Sequence, residues 1–228
     1  MSVYVVANPK GGVGKSTLAT NLAGYLARRE ADRATDGADP DARPVVVLAD
    51  VDRQESGALW LSLRPPELPR IGLWTTDPDG LGKLPKGARH AVIDTPAGLQ
   101  GKRLDAVIKA ADAILLPLQA SVFDIYATRD FIDELRQSRK HAGVPVAVVG
   151  NRVREHTHAA EQLEQFLTRL HGQIDVPVLG LLRDTHNYVH LAAQGASLWD
   201  VSASRVGRDL EQWGPLVAWV DRQGGAGA

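Results

Sequence analysis

Residues 2–17 read SVYVVANPKGGVGKST, and the order of features in this stretch decides the fold. An apolar run, Val3 to Ala7, has the length and β-branched content of a buried strand. A glycine-rich turn follows, and Gly14-Lys15-Ser16-Thr17 opens a helical pattern in which Leu18, Leu22, Tyr25 and Leu26 recur at helical spacing. A strand, a flexible turn and a helix start in that order aim backbone N–H groups and a helix N-terminus at phosphate oxygens. The backbone of Gly11, Gly12, Val13 and Gly14 then cradles the phosphates, and Lys15 reaches the β and γ phosphates. Ser16 places its hydroxyl on Mg²⁺, and Thr17 contacts the α phosphate. A loop of this kind needs one lysine, yet this one also carries Lys10.

Working outward, 228 residues suit one α/β domain with a sizeable core, expected over residues 1–223, with the glycine-rich end at 224–228 read as a disordered tail. With 44% hydrophobic and 23% charged residues the composition is that of an ordinary globular chain. A net charge of −1 provides no global attraction to nucleic acid or acidic lipid, so such binding requires a local basic patch. The absence of cysteine excludes disulfides, thiolate-ligated zinc and thiolate-held iron–sulfur clusters, and fits a reducing cytoplasm. The N-terminus reads as a strand rather than a signal peptide, and no apolar run reaches membrane-spanning length.

Further apolar runs at Val45–Ala49, Ala91–Ile93, Ala113–Leu118, Val144–Val149 and Val176–Leu182 are continuous rather than alternating, which predicts strands covered on both faces. Helical stripes lie between them, at Phe131, Ile132 and Leu135, and at Leu163, Phe166, Leu167 and Leu170. The expected architecture is α/β, a doubly wound, mostly parallel sheet. Residues 30–44 lack apolar periodicity and read as a long loop.

The turn departs from the common G-x-x-x-x-G-K-[ST] pattern, with Pro9 at the first glycine position and Lys10 directly after it. KGGVGKST resembles the deviant Walker A loop of the ParA/MinD family of P-loop ATPases, where a signature lysine precedes the phosphate-loop lysine by the separation seen between Lys10 and Lys15. The resemblance implies that Lys10 reaches into the site of a second subunit. Charge supplied in trans to phosphoryl transfer is worth about 10³ to 10⁵ in rate, roughly 4 to 7 kcal/mol.

Acidic groups at the carboxyl ends of neighbouring strands would complete such a site. VVVLADVDRQ supplies Asp50 and Asp52, and AVIDTPAG supplies Asp94. Both segments match the family's remaining motifs. The resemblance implies that Asp94, helped by Asp50, holds the magnesium shell, that Asp52 orients the attacking water, and that Gln54 supports the interface. A helix-cap or turn role is the alternative for an acid pair at a strand end. Asn151, ending a strand in VVGNRVRE, occupies the position where the family reads adenine; a turn-forming asparagine is the alternative. Arg152-Val153-Arg154 does not supply the N-K-x-D pattern of a GTPase, which favours ATP. Ser121, Phe123 and Asp124 resemble the segment that starts a helix near the family's dimer face, and also fit an ordinary N-cap.

The resemblance implies an ATPase that uses ATP and Mg²⁺, forms an ATP-dependent homodimer and has a partner, ParB-like or a cargo adaptor, that stimulates hydrolysis. Its work would be the partition or positioning of a plasmid, a chromosome or a protein cluster. Non-specific DNA attachment, and with it a nucleoid-associated location, would draw on Arg152, Arg154, Arg183, Arg205 and Arg208. The chain enters its first strand at once, so no N-terminal helix-turn-helix domain is expected. A MinD-like membrane regulator is a second possibility, but Gly214-Pro215 interrupts the final helical pattern and Arg222 is its one nearby cation, so no membrane attachment is expected. A ligase resembling dethiobiotin synthetase is a third, in which Lys10 would have no evident use.

Overall fold

The computed structural model describes residues 1–34, 43–51, 55–77, 80–137, 143–174 and 176–225. Seven strands form one sheet: β1 (Ser2–Val6), β2 (Val46–Asp50), β3 (Gly72–Trp74), β6 (His90–Asp94), β7 (Ala113–Leu118), β8 (Val146–Val153) and β9 (Val178–Arg183). The order is β3-β2-β6-β1-β7-β8-β9, and every pairing in it is parallel. Two further short strands, β4 (Thr76–Asp77) and β5 (Gly80–Leu81), form a separate antiparallel hairpin.

Period-two alternation explains the continuous apolar runs. In β1, Val3 and Val5 face one core while Tyr4 and Val6 face the other; in β2, Val47 and Ala49 face the first and Val46 and Leu48 the second. The first core is closed by α3 (Gly101–Ala110), α4 (Val122–Gln137) and α5 (His158–Ile174), through Leu104, Ile108, Phe131, Ile132, Leu135, Leu163 and Leu167. The second is closed by α1 (Lys15–Arg33), α2 (Ser56–Ser62), α6 (His186–Ala192) and α7 (Ala203–Gly225), through Leu18, Leu22, Leu26, Trp60, Leu191 and Trp213. Each fully buried leucine contributes about 2 kcal/mol of transfer free energy, so the stripe on α1 alone accounts for its docking.

Three expectations are corrected here. Residues 30–33 are helical rather than loop: α1 continues to Arg33, and Glu30 is held by Arg33, Arg89 and His90. The rest of the expected loop, from 35 to 42, lies outside the described residues. Gly214-Pro215 does not interrupt α7. Pro215 lies on the exposed side, where the carbonyl left without a donor can take water, while Trp213, Leu216, Trp219 and Val220 are buried and hold the helix on the domain. The same helix carries Gly224 and Gly225, the first two residues of the expected tail.

Candidate functional site

The carboxyl ends of β1, β2 and β6 finish in register. Val6 is the Cα partner of Asp94, and Asp94 is the Cα partner of Asp50, so the phosphate loop and both acids leave the sheet along one line. β1 lies between β6 and β7, where the chain switches sides of the sheet, the position at which open α/β sheets take ligands.

The loop is anchored from below. Asn8, 2% exposed, donates through Nδ2 to Pro117 O and to Thr128 Oγ1 on α4, each at 2.9 Å, and accepts from Lys10 N at 2.9 Å. Gln119 Nε2 donates to Gly12 O at 2.7 Å, and Asn151 Nδ2 donates to Val13 O at 2.8 Å. Gly14 begins the helix at φ +89°, and a Cβ there would lie 2.2 Å from Asn151 Nδ2, so both the backbone conformation and the close approach require glycine. No side chain caps the start of α1 among the described residues, and its first turn holds no acid. Its N–H groups and dipole are therefore directed at a recess of about 290 Å³ lined by Gly11, Gly12, Gly14, Lys15, Ser16, Thr17, Thr95, Ala97 and Arg152. Larger recesses flank α5, one of about 560 Å³ around Glu161, Glu164 and Arg169.

The two lysines occupy different positions. Lys15 is 7% exposed, and its Nζ donates to Lys10 O at 2.7 Å, folded onto the loop where an incoming phosphate would engage it. Lys10 is half-buried. Burial raises the carboxyl pKa of Asp124 in the first turn of α4, and the charge of Lys10 opposes that rise, which puts the ammonium within electrostatic reach of α4. Phe123 and Tyr126 stand exposed on the same helix.

Asp94 is 1% exposed with both carboxylate oxygens buried. Asp50 Oδ2 accepts from Gly57 N at 2.6 Å and Ala58 N at 3.4 Å in the first turn of α2. No cluster of three His, Asp or Glu able to cage a metal occurs among the described residues. A Ser16 hydroxyl and carboxylates beside a phosphate cradle fit a Mg²⁺ that arrives with a nucleotide and keeps phosphate and water ligands. Asp52 and Gln54 lie outside the described residues.

Three of the five arginines expected to meet DNA have carboxylate partners. Arg154 pairs with Asp184 at 3.3 Å, Arg183 with fully buried Asp209 at 2.6 Å, and Arg208 with Glu155 at 2.7 Å. Arg205 is exposed on α7, and Arg152 lines the phosphate recess instead. Sequence reasoning missed Asn8, Thr95, Ala97 and Gln119. Asn8 stood inside the decisive stretch, and Thr95 and Ala97 follow the strand-end acid, so extending each motif by a few residues would have found three of the four.

Comparison with known proteins places this geometry in a class. The family model described as the CobQ/CobB/MinD/ParA nucleotide binding domain matches residues 4–198, and the chain belongs to that family. Among curated relatives, the maintenance of carboxysome distribution protein A of Gloeobacter kilaueensis is 35% identical over 125 residues, 54% of this chain and 51% of that protein, so the match spans about half of that relative's length. The protein of the same name from Halothiobacillus neapolitanus is 26% identical over 205 residues, 87% of each chain. The fold is shared with a plasmid partition protein of Borrelia burgdorferi bound to AMPPNP, at a TM-score of 0.68 and 14% identity over 95% of this chain and 98% of that one. It is shared too with the MinD cell division ATPase of Pyrococcus furiosus, at a TM-score of 0.63 and 17% identity over 97% of this chain and 98% of that one. The family model thus makes the chain a CobQ/CobB/MinD/ParA-type nucleotide-binding domain, and the solved structures share its fold.

Proposed function

We propose that this protein binds and hydrolyses ATP with Mg²⁺, closes as a dimer over two nucleotides, and positions a protein assembly by cycling on and off DNA. One observation carries the reading: a long helix without a capping side chain is aimed, with Lys15, at a recess beside buried Asp94, while a second lysine, Lys10, directly precedes the loop glycines that line the recess and offers its carbonyl to Lys15 Nζ. Lys15 neutralises phosphate charge within its own site. Lys10, half-buried and within electrostatic reach of Asp124, crosses to the phosphates of the second copy, whose approach also covers Phe123 and Tyr126. Asp94 and Ser16 hold the metal's water and oxygen ligands, and Asp52 orients the attacking water.

The names of the curated relatives support a protein-assembly cargo such as a microcompartment, reached through an adaptor that stimulates hydrolysis. Partner carboxylates compete for Arg154, Arg183 and Arg208, so attachment to DNA is weak in one copy and depends on two copies acting together. The apolar stripe of α7 is packed against the domain rather than free to lie on a lipid surface, which weighs against the MinD-like alternative. Gel mobility of arbitrary-sequence duplex DNA, measured with ATP, ADP or neither across a salt series, tests the proposal. Retardation is expected with ATP alone and fades as salt rises; retardation indifferent to nucleotide and salt refutes it.

A further inference from the structure

The geometry points to Arg152 as a nucleotide-binding residue, its guanidinium meeting the phosphates held by the Gly11–Thr17 loop of its own subunit. This rests on the nucleotide reading above and adds to it a cation supplied by β8 rather than by the phosphate loop.

Three observations carry it. Arg152, exposed on β8, lines the same recess as Lys15, Ser16 and Thr17. Its backbone sits at φ +52°, in the left-handed region that disfavours a bulky side chain, at an irregularity in the β8–β9 pairing between Gly150 and Val153. Its neighbours Asn151 and Val153 are both buried, and Asn151 is tied to Val13 O, so the chain on either side is held in place. A position suited to glycine or asparagine thus carries an arginine, with backbone strain retained where the side chain is turned toward a recess, an association typical of ligand sites. The third observation is charge. Arg154, Arg183 and Arg208 all have carboxylate partners, whereas Arg152 has no hydrogen-bond or ion-pair partner for its side chain among the described residues. A polyphosphate supplies the anion that the surrounding side chains do not, and an arginine fork suits phosphate oxygens.

The test is calorimetric titration of Mg-ATP, and separately of inorganic tripolyphosphate, into the wild-type chain, Arg152→Ala, Arg152→Lys and Arg152→Gly, with a thermal melt of each. Loss of one charge-assisted contact predicts weakening by about tenfold or more for both ligands in the Ala and Gly variants, with partial recovery in the Lys variant. Arg152→Gly removes the strain, so its melting temperature rises by about 2 °C or more while its affinity falls. A merely structural role would move stability and affinity down together, and that result overturns the inference. So does wild-type affinity in Arg152→Ala, or a loss confined to ATP with tripolyphosphate unaffected, which would put the guanidinium on the base or ribose. A wild-type chain that binds no ATP instead refutes the nucleotide reading beneath it.

Discussion

Replacing Gly14 by alanine tests whether the phosphate loop is held as described. At φ +89° a Cβ introduces strain of about 1 to 2 kcal/mol. The same Cβ lies 2.2 Å from Asn151 Nδ2, so the amide must retreat and its 2.8 Å bond to Val13 O is lost. A buried carbonyl left without its donor costs about 1 to 3 kcal/mol. Together these give roughly 2 to 5 kcal/mol, relieved by leaving the phosphate-ready conformation, so the affinity for Mg-ATP falls by about 30-fold to a few thousandfold. Asn151→Ala loses the hydrogen bond to Val13 O, about 1 to 3 kcal/mol. In the double variant the clash is gone and that bond is lost once, so its cost falls short of the sum of the singles by about 1 to 3 kcal/mol. Calorimetric titration of the four proteins, with melts to establish folding, measures the cycle. Additive losses, or a Gly14→Ala protein that binds like wild type, would refute the coupling between the loop and Asn151.

Two predictions concern the scaffold. Asp209 is fully buried and accepts from Arg183 and from Asn187, each at 2.6 Å, so Asp209→Ala strands two donors; with Arg183 partly solvated the expected loss is about 2 to 4 kcal/mol in chemical denaturation, and a change below about 1 kcal/mol would contradict it. Burial pushes the pKa of both Tyr25 and Tyr188 up to about 12 from 10.0, with the Asp221 carboxylate adding to the rise at Tyr25. Raised values favour the protonated folded state, so stability is intact below pH 10 and falls as pH climbs toward 12. Melts alongside a phenolate absorbance titration check this, and a melting temperature flat across that window would contradict it.

Much of the fold was legible because both faces of the sheet are covered, which writes strands as unbroken apolar runs: Ala113–Leu118 matches β7 residue for residue, and the other five expected strands differ at their ends by a few residues. The edge was not legible. β3 is three residues long with Leu73 exposed, and so short an edge strand leaves no periodicity to read. Pro215 and the glycines after it misled for the opposite reason, since buried tryptophans and aliphatics on α7 override local helix propensity. At the site, the phosphate loop was readable because its chemistry is local in sequence. Asn8 bonding to Thr128, Asn151 to Val13 and Arg152 turned into the recess are contacts over more than one hundred residues, and residue type alone made Arg152 look equivalent to Arg154.

The claim that two copies close over bound nucleotide, with Lys10 reaching from one into the other, is tested most directly by the solution mass under sedimentation in three states: without nucleotide, with Mg-ADP, and with a non-hydrolysable ATP analogue and Mg²⁺. The account predicts that the mass doubles with the analogue alone, and that Lys10→Ala impairs this doubling or the hydrolysis of ATP while nucleotide still binds. A mass of one copy in all three states, with the analogue demonstrably bound, would contradict it.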